Sequence, residues 1–299
     1  MKQSEKWKHG LPYVGNKGQK AEKIIDILPA GNRLVDVFGG GGSISLTAAS
    51  SGKWNAVVYN DRRKTVVNLL KALIEDNPHF DLMKYVYMDR ETFYKWRDNM
   101  PDSLERTLVL TIWSFSNGWK SYLWGKRYEK EKLQLTRALF WGNTGTKLDD
   151  LYSYSKNETS IAGKYSMFHK WRLEKMNIRS DIDNDQLANI LRINRIEQLQ
   201  QLQQLNSIEY STLDYRLLNI RKDDIVYCDP PYLGTSADYG GFDNDSFQWW
   251  LANCPARQIY ISEYTKLPHT EVVFSFEKKR AFTISGKYRE ELLLKYVKE

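Results

Sequence analysis

The stretch "LVDVFGGGGSISL", residues 34–46, decides how this chain of 299 residues is expected to fold. A short apolar run ends at Asp36, four glycines follow, and a serine opens a segment of small and apolar residues. Such a run predicts a buried strand, and glycines permit positive φ and a close approach of a ligand to the backbone. The stretch therefore predicts a strand, a tight turn and a helix, in that order.

The glycine run matches neither of two common ligand-binding motifs. The dinucleotide pattern G-x-G-x-x-G breaks at Ser45, and the Gly-Lys-Ser/Thr of a phosphate loop is absent. A second strand end, "VVYND", supplies Asp61, whose carboxylate can accept two hydrogen bonds from ribose hydroxyls. In a basic chain, a glycine loop with this acid points to S-adenosylmethionine; the alternative is a tight turn without a ligand.

Three apolar runs besides the first also end in an acid. "NAVVYND" ends at Asp61, "NSIEYSTLD" at Asp214 and "DDIVYCD" at Asp229. Strands that alternate with helices predict a parallel sheet, in which ligands bind beyond the carboxyl ends of the strands. We therefore expect these acids and Asp36 to lie along one edge of the sheet. For any single acid, a helix N-cap or a turn is the alternative interpretation. Three later runs, "RQIYISEY", "VVFSFEKK" and "ELLLKYV", predict further strands with an antiparallel ending.

Residues 68–205 leave the strand pattern. "TVVNLLKALIEDN" and "SLERTLVLTIWSF" predict helices, and the chain becomes basic and aromatic between residues 114 and 170. We predict an α/β fold in which a Rossmann-like mixed sheet, formed by residues 1–67 and 206–299, carries residues 68–205 as a mainly helical insert. Near the end of the insert, a three-residue spacing predicts one face of a short helix. That face would consist of Ile196, Leu199, Leu202 and Leu205.

The composition excludes several classes of protein. The longest apolar run, "TLVLTIWSF", is too short to span a bilayer, and the first residues contain no apolar signal core. Two cysteines and four scattered histidines form neither a disulfide framework nor a metal site. We expect a cytoplasmic protein without a metal. A formal charge of +7 and an aromatic content of 13% favour a nucleic-acid partner.

The stretch "IVYCDPPYLGTSADYGGFD", residues 225–243, carries the predicted chemistry. Each proline fixes its own φ and restricts the residue before it, which holds Asp229 and Pro230 extended. An amino group could then donate one proton to Asp229 and one to the Pro230 carbonyl, which localises the nitrogen lone pair. Tyr232 offers a flat face to a base. The contribution of the protein is positioning and electrostatics, and the alternative is an ordinary rigid turn.

Together the two motifs resemble the Dam-like D12 class of DNA N6-adenine methyltransferases over nearly the whole chain. The family opens with aromatic-x-Gly-Gly-Lys, and "YVGNK" here has Asn16 in place of a glycine. The family's acid-Pro-Phe-x-Gly-x-Gly-Ser loop begins here at Asp36, with Val37 in place of proline. The elements "SYLWGK" and the leucine-glutamine helix are most similar to phage or prophage members.

The resemblance implies roles for particular residues. The catalytic quartet falls on Asp229, Pro230, Pro231 and Tyr232. Cofactor binding falls on Tyr13, Lys17, Asp36, Phe38, Gly40, Gly42, Ser43, Asp61, Asp214, Tyr215 and Asp229. In the insert, "FSNGWKSYLWGKR" resembles the family's Asn-Gly element ahead of its DNA contacts, with Asn117 and Lys120. The residues downstream match the family poorly. The basic residues of the insert are candidates for phosphate contact and base readout, with a solvated helix face as the alternative; they include Lys120, Lys126, Arg127, Lys130 and Arg137. Gly234, Gly240 and Gly241 suggest a segment that closes over the bound nucleotide.

The implied reaction is methyl transfer from S-adenosylmethionine to the N6 amine of an adenine flipped out of duplex DNA, which leaves S-adenosylhomocysteine. One alternative is N4-cytosine methylation, although serine is then more usual in place of Asp229. Another is a catalytically silent DNA-binding protein of the same fold. The expected partner is double-stranded DNA, with no membrane contact, a monomer or weak dimer, and a cognate restriction nuclease as an option. GATC is the starting expectation for the recognition sequence.

Overall fold

The computed structural model describes residues 10–76, 80–175, 187–202, 205, 207–232, 242–278 and 289–298. The chain divides into two compact units. The sheet unit comprises Met1–Gly10, Lys17–Val67 and Gln203–Glu299, and the helical unit comprises Leu11–Asn16 and Asn68–Leu202. Unlike the predicted scheme, this division groups residues 11–16 with the helical residues. The predicted closing segment with Gly234, Gly240 and Gly241 lies outside the described residues.

The described part of the sheet unit contains seven strands in one sheet. They are β1 (Arg33–Asp36), β2 (Ala56–Asn60), β3 (Ser207–Ser211), β4 (Ile225–Cys228), β5 (Gln258–Glu263), β6 (Thr270–Lys278) and β7 (Arg289–Tyr296). Their order is β3-β2-β1-β4-β5-β7-β6. The first five are parallel, and β7 lies antiparallel between β5 and β6. The predicted mixed α/β sheet with an antiparallel ending is confirmed.

Alternating side chains give the sheet two apolar faces, because successive residues of a strand point to opposite sides. From β1, Leu34 packs with Ile24 of α1 (Ala21–Ile27) and Ile44 of α2 (Ser43–Ser51). Val35 packs on the other face, with Phe247 of α10 (Asn244–Asn253). Helices therefore cover both faces of the sheet, and this explains why the neighbouring strands β1, β2 and β4 are almost completely buried.

The glycine loop joins β1 to α2 as the sequence predicts. Gly40 and Gly42 have φ of 51° and 80°, in the left-handed region that favours glycine. Gly39 is needed for a different reason, since a Cβ there would lie 2.3 Å from the ring of Tyr59. The Tyr59 hydroxyl also donates to the Gly40 carbonyl over 2.7 Å, which fixes the loop against β2.

The described part of the helical unit consists mainly of helices. They are α4 (Arg90–Asn99), α5 (Leu104–Trp113), α6 (Lys126–Trp141), α7 (Asp149–Ser155), α8 (Ile161–Lys175) and α9 (Ala188–Gln200), while α3 (Lys64–Lys71) runs across the division between the units. Trp113 stacks on Tyr122 at 5.9 Å between ring centroids, and Trp124 packs edge-on against both. None of the helices in the described part of the chain has the length and apolar character needed to cross a bilayer.

The helix predicted over residues 196–205 differs from the observed one. The helix α9 ends at Gln200, so Leu202 and Leu205 are not part of it. The buried series instead begins further back in the chain, at Ile190 and Ile193, and continues through Ile196 and Leu199. A spacing of three residues drifts around a helix, so these four residues do not lie on one narrow face. All four are nevertheless buried in a helix that contacts α5, α8 and the short helical segments Ala72–Asp76 and Leu82–Tyr85.

Candidate active site

Four acids lie at the carboxyl end of the parallel strands. Asp36 is the last residue of β1, Asp61 and Asp229 directly follow β2 and β4, and Asp214 lies three residues after β3. These strands pair in parallel, so their carboxyl ends share one edge of the sheet. The charges of Asp229 and Asp61 both act to raise the pKa of Asp36, so the three carboxyl groups interact electrostatically at this edge.

Asp36 is the most deeply buried of these acids, with 1% of its surface exposed. Ser45 donates a hydrogen bond to Asp36 Oδ2 over 2.6 Å, whereas Oδ1 has no partner among the residues that the structure describes. Burial raises the pKa of Asp36 to about 7, against the opposing effect of the Ser45 hydrogen bond. The site thus contains a buried acceptor that a cationic donor would complete.

Asp61 holds the glycine loop and keeps acceptor capacity. The Gly40 N–H donates to Asp61 Oδ2 over 3.0 Å, and the Arg63 N–H donates to Oδ1 over 2.7 Å. Burial raises the pKa of Asp61, although these two hydrogen bonds and the charge of Arg63 lower it. Each carboxylate oxygen can accept a second hydrogen bond, so a ribose diol could still bind here.

Asp229 forms an ion pair with Lys17. The distance from Lys17 Nζ to Asp229 Oδ2 is 2.6 Å, and the two side chains are 8% and 17% exposed. Burial raises the pKa of Asp229, and the neighbouring Lys17 ammonium partly offsets this. Asp229 Oδ1 is buried as well, and a side-chain hydrogen bond from the neighbouring Tyr232 lowers the pKa of Asp229. Lys17 therefore holds the carboxylate, and each of its oxygens can still accept a further hydrogen bond.

Glu291 on β7 is a member of this site that the sequence analysis missed. Its Oε2 lies 2.6 Å from Lys20 Nζ, and its Oε1 lies 3.6 Å from Lys17 Nζ. Burial alone would raise the pKa of Glu291, but Lys17 and Lys20 outweigh it and the pKa is lowered. We call Lys17, Lys20, Asp229 and Glu291 the four-charge cluster. An acid within the apolar run "ELLLKY" is the signal that could have indicated it.

Tyr232 lies against the same cluster. Lys17 Nζ is 4.9 Å from the centroid of the Tyr232 ring, and Tyr264 meets that ring edge-on at 4.6 Å between centroids. Pro230 is buried, while Pro231 and Tyr232 are half-buried. Part of the ring predicted to face a base is thus contacted by the lysine ammonium and by a second tyrosine.

An aromatic cluster adjoins the glycine loop. Phe38 lies 5.3 Å from Tyr215 between ring centroids, and Tyr215 packs edge-on against Trp250 at 5.4 Å. Asp214, beside Tyr215, accepts hydrogen bonds from the backbone and guanidinium of Arg216. The structure therefore brings the predicted residues Phe38, Asp214 and Tyr215 to the loop after β1.

Two predicted cofactor residues have different surroundings. The hydroxyl of Ser43 accepts a hydrogen bond from the Gly10 N–H over 3.1 Å, so it helps to fix the chain before the loop. Tyr13 belongs to the helical unit, where its carbonyl accepts from the Asn16 N–H. Their contact with a cofactor stays a prediction.

The predicted DNA contacts lie in the helical unit. Lys126, Lys130 and Arg137 are exposed on α6, and spacings of four and seven residues bring them to nearly one face of the helix. Arg137 stacks on Tyr87 at 5.5 Å from the ring centroid. Arg127 and Lys120 are exposed, while Asn117 is half-buried in a turn with φ of 56°.

The acids and the loop fit S-adenosylmethionine. Asp36 supplies a buried acceptor for an ammonium group, Asp61 can accept from ribose hydroxyls, and the positive φ of Gly40 and Gly42 exposes the loop backbone. Among the described residues, no group of three or more His, Cys, Asp or Glu could hold a metal ion.

The sheet order, the glycine loop after β1 and the acids at the strand ends define a Rossmann-like methyltransferase fold. The model of the D12 class N6 adenine-specific DNA methyltransferase family matches residues 13–249, and the chain belongs to this family. The earlier resemblance is therefore confirmed. The protein is an adenine-specific DNA methyltransferase, which argues against the N4-cytosine alternative.

Two comparisons identify individual similar proteins. The Type II methyltransferase M2.HphI of Haemophilus parahaemolyticus is 27% identical over 251 residues, which cover 77% of this chain and 68% of that protein. The crystal structure of HI0767, a proposed methylase of Haemophilus influenzae, covers 94% of this chain and 88% of its own at 12% identity, with a TM-score of 0.32.

Proposed function

We propose that the protein transfers a methyl group from S-adenosylmethionine to the N6 amine of an adenine flipped out of a specific duplex DNA sequence. The observation that supports this most directly is the buried ion pair of Asp229 with Lys17, which fixes the carboxylate beside Tyr232 at the end of β4. The N6 amine is paired inside a duplex, so an enzyme that uses this site has to extrude the base.

Asp229 would act on the substrate amine as a hydrogen-bond acceptor. One amine proton would be donated to Asp229 Oδ1 and the other to the Pro230 carbonyl, so that the nitrogen lone pair is no longer shared with the ring. Burial raises the pKa of Asp229, which suits it to take up the proton that the nitrogen loses as its bond to the methyl group forms. Lys17 holds the carboxylate in place throughout.

S-adenosylmethionine would supply an electrophilic methyl group on a sulfonium centre when bound. Asp36 Oδ1 would accept from its ammonium group and Asp61 from its ribose hydroxyls. The aromatic rings of Phe38 and Tyr215 would flank its adenine. Methyl transfer then depends on how well these side chains align the two reactants, since no strong base is required.

The exposed cations of α6 would contact DNA phosphates, with Asn117 and Lys120 near the base edges. The relative from Haemophilus parahaemolyticus is named a Type II methyltransferase, which supports a place beside a restriction nuclease. The monomeric or weakly dimeric state and a phage origin stay predictions.

Genomic DNA methylated in a Dam-negative host tests the proposal. After expression of the protein, modification-sensitive sequencing should detect N6-methyladenine at one recurring sequence. An Asp229→Ala variant expressed to the same level serves as the control and should leave the DNA unmodified. N4-methylcytosine at a recurring sequence would contradict the choice of base, and DNA without any modification would support the catalytically silent alternative.

A further inference from the structure

We propose that Glu291 is a positioning residue for methyl transfer: held by Lys20, it fixes the Lys17 ammonium against Asp229. This inference rests on the proposed function of Asp229. Glu291 does not have to touch either reactant. It would act through Lys17, and the alternative is a purely structural link between β7 and α1.

The four-charge cluster is a chain of alternating sign. Lys20 lies 2.6 Å from Glu291, Glu291 lies 3.6 Å from Lys17, and Lys17 lies 2.6 Å from Asp229. The side chains of Lys17 and Glu291 are only 8% and 4% exposed, so water screens their interaction weakly. Each inner charge therefore has an oppositely charged neighbour on two sides.

The register of the sheet explains how Glu291 reaches the site. Leu292 pairs with Glu263 at the carboxyl end of β5, so the neighbouring Glu291 lies at the edge of the sheet where Asp229 follows β4. Glu290 precedes it on the exposed side of the strand. Burial of a leucine at this position would cost less free energy than burial of a glutamate, because a buried ion pair seldom stabilises a fold more than apolar packing does. A role in the reaction would account for a charge at this position.

Loss of the negative charge at Glu291 should disturb the cluster in a defined direction. A neutral side chain at position 291 should lower the pKa of both Lys17 and Asp229, whereas a neutral side chain at position 20 should raise both. The two limbs of a pH–rate profile should therefore move to lower pH in one variant and to higher pH in the other. Charged and titratable groups from three parts of the sheet unit surround Glu291. They lie just before α1, on or just after β4, and on or just after β5: Lys17, Lys20, Tyr227, Asp229, Tyr232, Glu263 and Tyr264.

The test compares single-turnover methylation from about pH 5.5 to 10 in the full-length protein and its variants. Glu291→Gln should slow the reaction at least tenfold and move both limbs down by roughly half a pH unit or more. Lys20→Met should move both limbs up, and Lys20→Arg should restore the original profile. Glu290→Gln and Lys23→Met, on exposed neighbouring positions, should leave rate and profile unchanged.

A readout independent of activity separates this inference from the proposed function. The titration of Asp229, followed by carboxyl ¹³C NMR and assigned with Asp229→Asn, should shift to lower pH in Glu291→Gln and to higher pH in Lys20→Met. If the wild type methylates DNA but its profile and this titration coincide with those of Glu291→Gln, the inference is wrong and the proposed function stands. If the wild type transfers no methyl group, both are wrong.

Discussion

At the residue scale, we expect Asp229 to be needed for the methyl-transfer step and much less for the binding of S-adenosylmethionine and DNA. Asp229→Ala removes the acceptor for the amine proton while Glu291 remains as a counter-charge for Lys17. We expect the single-turnover rate of methylation to fall by at least about 100-fold, a loss typical of a group that acts in the transition state. Affinities for S-adenosylmethionine and DNA, measured by calorimetry and gel shift, should change no more than severalfold. Asp223→Ala, an exposed acid just before β4, is the matched control, and near wild-type turnover in Asp229→Ala would remove Asp229 from the mechanism.

Asp36 should make the ligand-free protein less stable as the pH rises. Burial raises the pKa of Asp36 in the folded state to about 7, whereas an aspartate in an unfolded chain ionises near pH 4. Between these values the folded state binds more protons than the unfolded state, so the free energy of unfolding falls by at most ~1.4 kcal/mol per pH unit. Denaturant titrations at pH 4.5, 5.5 and 6.5, chosen inside this window of about 4 to 7, measure the slope.

The comparison variant for this prediction is Asp36→Asn, which cannot ionise. Its slope of the free energy of unfolding against pH should be more positive than that of the wild type over the same interval, because the negative contribution of Asp36 is removed. Acids remote from Asp36 contribute equally to both proteins, so the difference reports Asp36 together with its coupling to Asp61 and Asp229. Equal slopes would show that Asp36 is ionised in the folded protein already at low pH.

The acids at the strand ends were predictable because they depend on local sequence. An apolar run that stops at Asp36 or Asp229 places its acid at the carboxyl end of a strand, and parallel pairing then brings the ends together. Glu291 was not predictable in this way. Its place beside Lys17 depends on the register of antiparallel β7 against β5, which no short stretch of sequence specifies.

At the element scale, the turn after β1 tolerates no side chain at Gly39. A Cβ there would lie 2.3 Å from the Tyr59 ring, and this ring is completely buried and hydrogen-bonded to Gly40. Gly39→Ala must therefore displace the loop or β2. We expect a lower Tm and weaker binding of S-adenosylmethionine, measured by calorimetry. Gly125→Ala, where a Cβ meets nothing within 4 Å, should change neither the Tm nor the affinity. Unchanged affinity in Gly39→Ala would show that the loop does not contribute to binding of S-adenosylmethionine.

Helix α9 shows why the sequence placed one element wrongly. The spacing of leucines and glutamines after residue 196 indicated an amphipathic helix with one buried face. In the structure the helix starts at Ala188, its buried residues include Ile190 and Ile193, and it contacts two longer helices and two short helical segments. A helix with several neighbours loses the single-face pattern by which it could be recognised.

At the scale of the whole molecule, the assignment of residues 11–16 to the helical unit depends on contacts that the sequence pattern does not reveal. The change from strands to helices near residue 68 follows from periodicity, because the two patterns repeat every two and every 3.6 residues. Residues 11–16 form no regular element, so only their packing assigns them to the helical unit. Composition cannot anticipate such a short segment.

The charge of the helical unit gives the last prediction, which concerns DNA affinity as a function of salt. Each phosphate contact releases counterions, so the logarithm of the binding constant falls with the logarithm of salt by about 0.9 per contact. Lys126→Gln with Lys130→Gln removes two exposed cations from one face of α6 and should reduce the slope by roughly 2, with weaker binding at low salt. Lys23→Gln with Lys222→Gln removes the same charge from exposed positions of the sheet unit and should leave the slope unchanged. Because both pairs lower the net charge equally, a change of slope in the first pair alone assigns the phosphate contacts to α6. Equal slopes in all three proteins would instead show that Lys126 and Lys130 lie on a solvated face of α6 and contact no phosphate.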